Sequence, residues 1–369
     1  MMKKSVLLML FLVLDLATNV ANADFTFGEP TNLGPTINSS VPESSPCMSA
    51  DGLSLYFASY RQGGYGLGDI CLSTRETTED DWGPPMNLGP MVNTSALEYH
   101  PAISTDELEL YFERVYPGSL WGGQFSGFEI WVTKRAARSD PWAQPVKLDL
   151  TVGNAEFFGA PSLSTDGLEL YFTASPLEPE TSLYVTKRET KDAPWGEPVS
   201  LGPTVNNWSS QTMSRISSDG LLLVFCDQFV ASPRPGGFGD VDMWFTRRAT
   251  EDSDWEEPVN LGPPINTAFR DWHGMVSADG STLYFSSTRP GGLGYYDIYQ
   301  APIIPIVDLN GDGIVNAADM CIIVDHWGEN YPLCDIGPMP WGDGIVDVQD
   351  LIVLAEHLFE EIPTAEPVE

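Results

Sequence analysis

The sequence predicts a mainly β protein: a five-bladed propeller closed by its own N-terminal strand, followed by a small α-helical domain. Three observations carry this. The pattern Ser277-Ala278-Asp279-Gly280-Ser281-Thr282-Leu283-Tyr284-Phe285 occurs in five versions along the chain. A second segment, aromatic-led and running through Asn-Leu-Gly-Pro in most copies, starts at residues 27, 82, 142, 195 and 255, so its copies lie 55, 60, 53 and 60 residues apart. Helical periodicity is lacking until about residue 308. Repetition at this period, in short strands rich in Gly and Pro, is how propellers and solenoids write themselves.

Each repeat supplies about four strand signals. Asp51-Gly52, Asp166-Gly167, Asp219-Gly220 and Asp279-Gly280 mark tight hairpins, with Asp106-Glu107 as the one departure. Asp-Gly tolerates the positive φ of a two-residue turn, and the apolar alternation after it (Leu53-Leu55-Phe57 and its counterparts) has the period of a strand. In the second repeat the strands are expected at Tyr99 to Ser104, Leu108 to Arg114, Phe128 to Lys134 and Trp142 to Leu148. The repeated Trp82, Trp142, Trp195 and Trp255 are expected to pack between blades. The chain opens on a fourth-strand motif, Phe27 to Leu33, and its last repeat ends on a third strand, Asp297 to Ala301. The first supplies what the second lacks, which removes an open sheet edge.

Residues 1–23 read as an export leader: Lys3-Lys4, a short apolar run from Ser5 to Leu14, and a small-x-small site at Ala21-Asn22-Ala23. That run is too short to span a bilayer. The mature chain is expected outside the cytoplasm, secreted, periplasmic or on the cell surface. The formal charge of -34 repels phosphate backbones and anionic lipid, which argues against nucleic-acid and membrane-surface binding. Of the five cysteines, Cys47, Cys71 and Cys226 read as small buried residues, and Cys321 and Cys334 are the one pair that export would allow to bridge.

Ser-x-Asp-Gly-x-x-Leu-Tyr-Phe, Arg289-Pro-Gly-Gly-Leu-Gly and Asp297-Ile298-Tyr299 together resemble the WD40-like, TolB-type propeller repeat of bacterial exported proteins, over residues 24–302. That resemblance implies a fold and no single function. After a Pro- and Ile-rich linker at 303–307, Asp308, Asn310, Asp312, Asn316 and Asp319 fall at positions 1, 3, 5, 9 and 12 of a calcium loop, with Gly313 at 6 and the Ile314 carbonyl at 7. A second, degenerate copy offers Asp343, Ile345, Asp347 and Asp350; its positions 1 and 3 fall on Met339 and Trp341, and Asp335 could reach in if residues 336–342 bulge out. Two half-hands over 308–360 resemble a dockerin, which implies calcium as a structural ion and a cohesin-type partner. Ala317-Ala318 and Val348-Gln349 stand where that family carries hydroxyl residues, so known partner specificities do not transfer. Residues 361–369 read as a disordered tail.

The face holding the fourth-to-first and second-to-third loops is the candidate binding face. His100 and His273 occupy equivalent positions there, with Glu98 and Asp271 two residues ahead and Glu43 in the first repeat. Arg61, Arg234 and Arg289 and the aromatics Tyr65, Trp121, Phe125, Trp208, Phe238, Trp272, Tyr295 and Tyr296 crowd the same face. Rings beside carboxylates and guanidinium groups suit a sugar. The leading expectation is a non-catalytic exported protein whose propeller binds carbohydrate or another protein. One alternative is a glycoside hydrolase using Glu98, Glu156 and Asp271, since glycoside hydrolysis needs two placed acids. The other is a cell-envelope scaffold. The Gly-Gly loops read as hairpin turns rather than phosphate nests.

Overall fold

The computed structural model describes residues 25–120, 125–177, 180–208, 210–227, 234–329, 331, 334–337, 342 and 345–360. The expected leader and the segment 361–369 lie outside them.

Five antiparallel units follow one another. The first is Glu43–Met48, Ser54–Ser59, Asp69–Thr74 and Met86–Asn87. The second is Leu97–Ile103, Glu109–Leu120, Phe125–Lys134 and Val146–Lys147. The third is Phe157–Leu163, Glu169–Leu177, Glu180–Lys187 and Val199–Ser200, and the fourth Gln211–Ile216, Leu222–Asp227, Met243–Arg247 and Val259–Asn260. The last has Asp271–Val276, Thr282–Ser287 and Asp297–Pro305 from its own repeat, and its outer strand, Thr31–Asn32, pairs with Gln300 and Tyr299. The outer strands are therefore much shorter than expected, two residues each.

The same inter-unit bonds recur around the molecule. Glu98 N–H donates to the Gly68 carbonyl at 2.9 Å and Asp271 N–H to Val241 at 3.0 Å; Glu43 N–H donates to Tyr296, in the last unit, at 2.9 Å. An asparagine also ties the outer turn to the third strand in the first, third, fourth and last units. Asn93 exchanges two bonds with the Ile70 backbone, both 2.9 Å, and Asn38 does the same with Ile298 at 2.9 and 2.8 Å, across 260 residues of chain.

The packing follows the alternation. Tyr56, Tyr111, Tyr171, Phe57, Phe112, Phe172, Phe225 and Phe285 are fully buried between neighbouring sheets, and each contributes roughly 1.5–3 kcal/mol by leaving water. The repeated tryptophans pack as expected: the guanidinium groups of Arg75, Arg135, Arg188 and Arg248 lie 4.3, 4.3, 4.5 and 4.7 Å from the Trp82, Trp142, Trp195 and Trp255 rings. Each of those arginines also donates Nε–H to the carbonyl of a hairpin residue, Gly52, Glu107, Gly167 or Gly220. Glu107, the departure from Asp-Gly, keeps φ at +58° and is buried, held by Tyr56, Arg135 and Arg138.

The expected linker is corrected in part. Ile303–Pro305 continues the strand from Asp297, and Phe25–Phe27 runs opposite it because Phe25 and Ile303 both bury. Beyond it, Val307, Val315, Ile323, Cys334, Ile336, Val346, Val353 and Leu354 form a separate small core. Two helices, Ala317–Asp325 and Val348–Glu356, carry matching capping boxes from Asn316 with Asp319 and Asp347 with Asp350. They are related by a shift of 31 residues: Val315 pairs with Phe359 and Glu360, and Val346 with Gly328 and Glu329. Cys321 is exposed and Cys334 buried, and both thiols are free; Cys47, Cys71 and Cys226 are buried as expected. No helix of the described residues is long and apolar enough to cross a membrane.

Candidate functional site

Each innermost strand bends at the same place. Ser45, His100, Ala160, Met213 and His273 all have φ between +46° and +58°, and the register shifts around each. A bulge of this kind re-aims one side chain and strands one N–H. The neighbouring unit takes up that N–H: Ser45 donates to Ser286 Oγ at 3.2 Å, Ala160 to Glu113 Oε2 at 2.8 Å and Met213 to Thr173 Oγ1 at 3.2 Å.

The bulges bring His100 and His273 together on the axis, rings 4.9 Å apart, with Tyr99 edge-on to both. Trp272 stacks on His273 at 4.7 Å and lies 4.8 Å from Tyr296. The expectation that the histidines stand on the binding face is thus corrected: both are buried. Burial pushes both imidazoles well below their ordinary pKa, so they are neutral. His100 Nδ1 meets Glu113 Oε2 at 2.8 Å. His100 Nε2 and both ring nitrogens of His273 have no hydrogen-bond partner among the described residues.

Glu113 was not foreseen. Its counterparts are Ala58, Thr173, Cys226 and Ser286, all small, so the misfit was visible by alignment of the repeats but its axial position was not. Gly159 makes the room, since a Cβ there would lie 2.2 Å from Glu113 Oε2. Desolvation raises the Glu113 pKa from 4.5 to about 7, against the bond from Ala160. A raised folded-state pKa makes the protonated form the stabilising one. Between pH 4.5 and about 7 the Glu113 contribution therefore falls as pH rises. The two depressed histidines act in the opposite sense below about 6.5. The stability difference between wild type and Glu113→Gln, measured by urea denaturation from pH 4.5 to 8, is expected to decline with pH by up to about 3 kcal/mol. A difference that stays flat would remove Glu113 from the titrating groups.

The expected ligand acids are committed inside the protein. Glu43, Glu98 and Asp271 are all 0% exposed. Glu98 accepts from Thr94 N–H at 2.9 Å, Thr94 Oγ1 at 2.7 Å and Arg114 Nε at 2.7 Å. Asp271 accepts from Thr267 N–H and Oγ1, Ser287 Oγ and Arg289 Nη2. Glu43 accepts from Ser39 N–H and Oγ and from Ser59 Oγ, with Arg61 at 3.4 Å; desolvation raises its pKa, and Ser39 opposes the shift. Each acid therefore pins the loop before its strand. The arginines pin it from the other side: Arg61 donates to the Ile37 carbonyl, Arg114 to Val92, Arg234 to Val205 and Arg289 to Ile265. Glu156 lies exposed in the loop before Phe157–Leu163, out of line with that set; the repeat position that matches Glu98 is Phe158. Trp121 lies outside the described residues.

The Gly-rich loops are built over an aspartate. Asp69 accepts from Tyr65 and Gly66 N–H at 2.7 and 3.2 Å, and Asp297 from Leu293 and Gly294 at 2.5 and 2.9 Å. Their own carboxylates fill these amide hollows, as the turn reading expects. Gly66, Gly239 and Gly294 lie so close to the next unit's loop that a Cβ would meet a carbonyl oxygen at 2.1, 2.2 and 2.4 Å. The residues between these glycines are forced outward. Tyr65, Phe238 and Leu293 occupy one equivalent position, Leu67 and Tyr295 another, and their exposures run from 47% to 61%. With Phe269 they form a crescent over the fourth, last and first units.

No protein-family model and no curated protein sequence matches the chain. Solved structures do match in shape. An α-L-arabinofuranosidase from Lactobacillus brevis superposes with a TM-score of 0.50 at 13% identity, over 74% of this chain and 92% of that one. The fold is a β-propeller. An endo-arabinanase from Bacillus licheniformis gives 0.48 at 14% identity over 73% and 94%. TolB from Acinetobacter baumannii gives 0.43 at 14% identity, over 71% of this chain and 54% of its own length, so the chain spans about half of TolB. At these identities the likeness concerns the propeller fold alone.

Asp308 accepts from the N–H groups of Gly311, Asp312 and Gly313 at 2.9, 3.1 and 2.8 Å, and Asn310 N–H donates to Asp319 Oδ1 at 3.1 Å. These bonds fold Asp308, Asn310, Asp312 and Asp319 into one turn. Asn316 caps the helix that follows, and Ile314 O accepts from its side chain at 2.9 Å. In the second loop Gly337 N–H donates to Asp350 Oδ1 at 2.8 Å, as Asn310 does to Asp319. That match puts Asp335 where Asp308 stands, with the extra residues after Gly337. Asp347 caps its helix and Ile345 is exposed; Asp343 lies outside the described residues. Among the described residues no three His, Cys, Asp or Glu side chains gather as a metal-holding group.

Proposed function

We propose that the chain is an exported, non-catalytic recognition protein: a five-bladed propeller closed by Thr31–Asn32 that binds carbohydrate on one face, carried on a dockerin-like tail. The observation behind the recognition reading is the contrast on that face. Tyr65, Phe238 and Tyr295 are about half exposed or more, whereas Glu43, Glu98 and Asp271 are buried and saturated. Flat exposed rings stack on sugar faces, and acids with every oxygen engaged do not transfer protons to a glycosidic oxygen. In the tail, Asp308, Asn310, Asp312, Ile314 O, Asn316 and Asp319 would hold calcium, with Asp335, Asp343, Ile345 O, Asp347 and Asp350 as the second set. Calcium supplies charge neutralisation that lets the loop carboxylates sit together, so binding and folding are linked. The folded tail would then dock to a cohesin-type partner.

The test is a glycan array and a hydrolysis screen on the full mature chain with calcium. Binding without turnover, lost in a Tyr65→Ala, Phe238→Ala, Tyr295→Ala triple variant, is the expected result. Silence on every glycan would move the reading to a protein ligand. A second reading, a glycoside hydrolase, is favoured by one observation: Glu113, protonatable near pH 7 beside His100 on the axis. Turnover abolished by Glu113→Gln would establish it in place of the first.

A further inference from the structure

The end of the axis opposite the aromatic crescent is open. A cavity of about 310 Å³ sits there, walled by the innermost strands of all five units. Cys47, Ala102, Ser162, Arg215 and Met275 stand at equivalent positions at its inner end, and Arg215 is the one charge among them. Ala50, Thr105, Thr165, Ser218 and Ala278, on the Asp-Gly hairpins, form its rim.

Arg215 is buried, yet no carboxylate pairs with it among the described residues. Its Nη1 donates to the Pro161 carbonyl and Nη2 to Pro101, both at 2.9 Å. A guanidinium has five N–H donors, so three are without a partner among the described residues. Burying an unpaired charge is strongly unfavourable. The titratable group that acts on it is the Cys47 thiol, whose pKa burial pushes up, so it supplies no counter-charge. The rim is braced: Thr105 Oγ1 donates to the Thr165 carbonyl at 2.6 Å, Thr165 to Ser218 at 2.6 Å and Ser218 to Ala278 at 2.7 Å. This circlet stops at Ala278, since neither it nor Ala50 has a hydroxyl to carry it on.

We propose that this cavity binds a small hydroxylated monocarboxylate, of sugar-acid size, whose carboxylate meets the Arg215 guanidinium. A planar fork with free donors matches a carboxylate or a phosphate. The mouth decides between them. Asp51, Asp106, Asp166, Asp219 and Asp279 flank it, and only Asp51 and Asp106 are paired with cations among the described residues, by Arg138 and Lys191. Repulsion from the other three grows with ligand charge, which favours a monoanion over a phosphate dianion. The volume admits one small molecule and no polymer chain.

Isothermal calorimetry on the full mature chain, with D-galacturonate, D-galactose and inorganic phosphate as probes at constant chloride, tests this. Galacturonate is expected to bind at one per chain, galactose to give no heat and phosphate to bind more weakly. Arg215→Gln is expected to weaken galacturonate on the order of a hundredfold, the usual effect of removing one partner of a buried charge pair. Ser162→Leu, which fills the cavity and leaves the guanidinium alone, is expected to block uptake as well; it carries the test should Arg215→Gln not fold. Absence of galacturonate binding, equal affinity in both variants, or phosphate binding tighter than galacturonate would overturn the proposal. So would loss of galacturonate binding in the triple aromatic variant, which would place the site on the other face.

Discussion

Deleting residues 25–38 is expected to abolish cooperative unfolding of the propeller. The segment supplies Phe25 and Ile37 to the core, the outer strand Thr31–Asn32 and the two-way bond between Asn38 and Ile298. Burial of the two side chains alone contributes roughly 3–6 kcal/mol, and a domain has about 5–15 kcal/mol in all. A milder pair of variants tests closure itself. Asn38→Ala leaves the buried Ile298 N–H and carbonyl without that partner, and Asn93→Ala does the same to Ile70. Each is expected to cost about 1–3 kcal/mol in urea denaturation. The two losses should be equal if the chain ends meet as the internal units do. An Asn38→Ala protein as stable as wild type, beside a destabilised Asn93→Ala, would show that they do not.

Calcium removal is expected to melt residues 308–360 and spare the propeller. Helical circular dichroism from Ala317–Asp325 and Val348–Glu356 should fall on chelation, while the near-ultraviolet signal of the buried propeller tyrosines and tryptophans persists. At a thousandfold excess over its dissociation constant the ion would stabilise the tail by about 4 kcal/mol. Asp312→Ala should mimic chelation. Asp312 is exposed and caps no helix, unlike Asp319, so the variant separates ion binding from helix capping. A tail whose dichroism ignores both treatments would mean that its core of Val315, Ile323, Val346 and Leu354 folds it unaided.

What the sequence made legible was local. Asp-Gly turns, period-two strands and Asn-Leu-Gly-Pro segments repeat within a few residues, so five units and the tail's two loops could be placed before any coordinate. The 31-residue symmetry of the tail was half visible, because the extra residues after Gly337 hide Asp335. Side-chain fate was not legible, because it depends on partners from other units. Glu98 looks like a channel acid until Arg114, sixteen residues on, and Thr94 occupy its oxygens. His100 looks like a rim ligand until the bulge turns it onto His273. Glu113 and Arg215 stand out only when the five repeats are laid over one another, where each is the charge among small or neutral residues.

The crescent of Tyr65, Phe238 and Tyr295 is expected to bind glycan without chemistry. The most direct measurement titrates the mature chain with the best array ligand by calorimetry and follows reducing ends in the same cell. Saturable binding with no new reducing ends, lost in the triple alanine variant and kept in Glu113→Gln, is the predicted result. New reducing ends that vanish in Glu113→Gln would contradict it and make this propeller an enzyme.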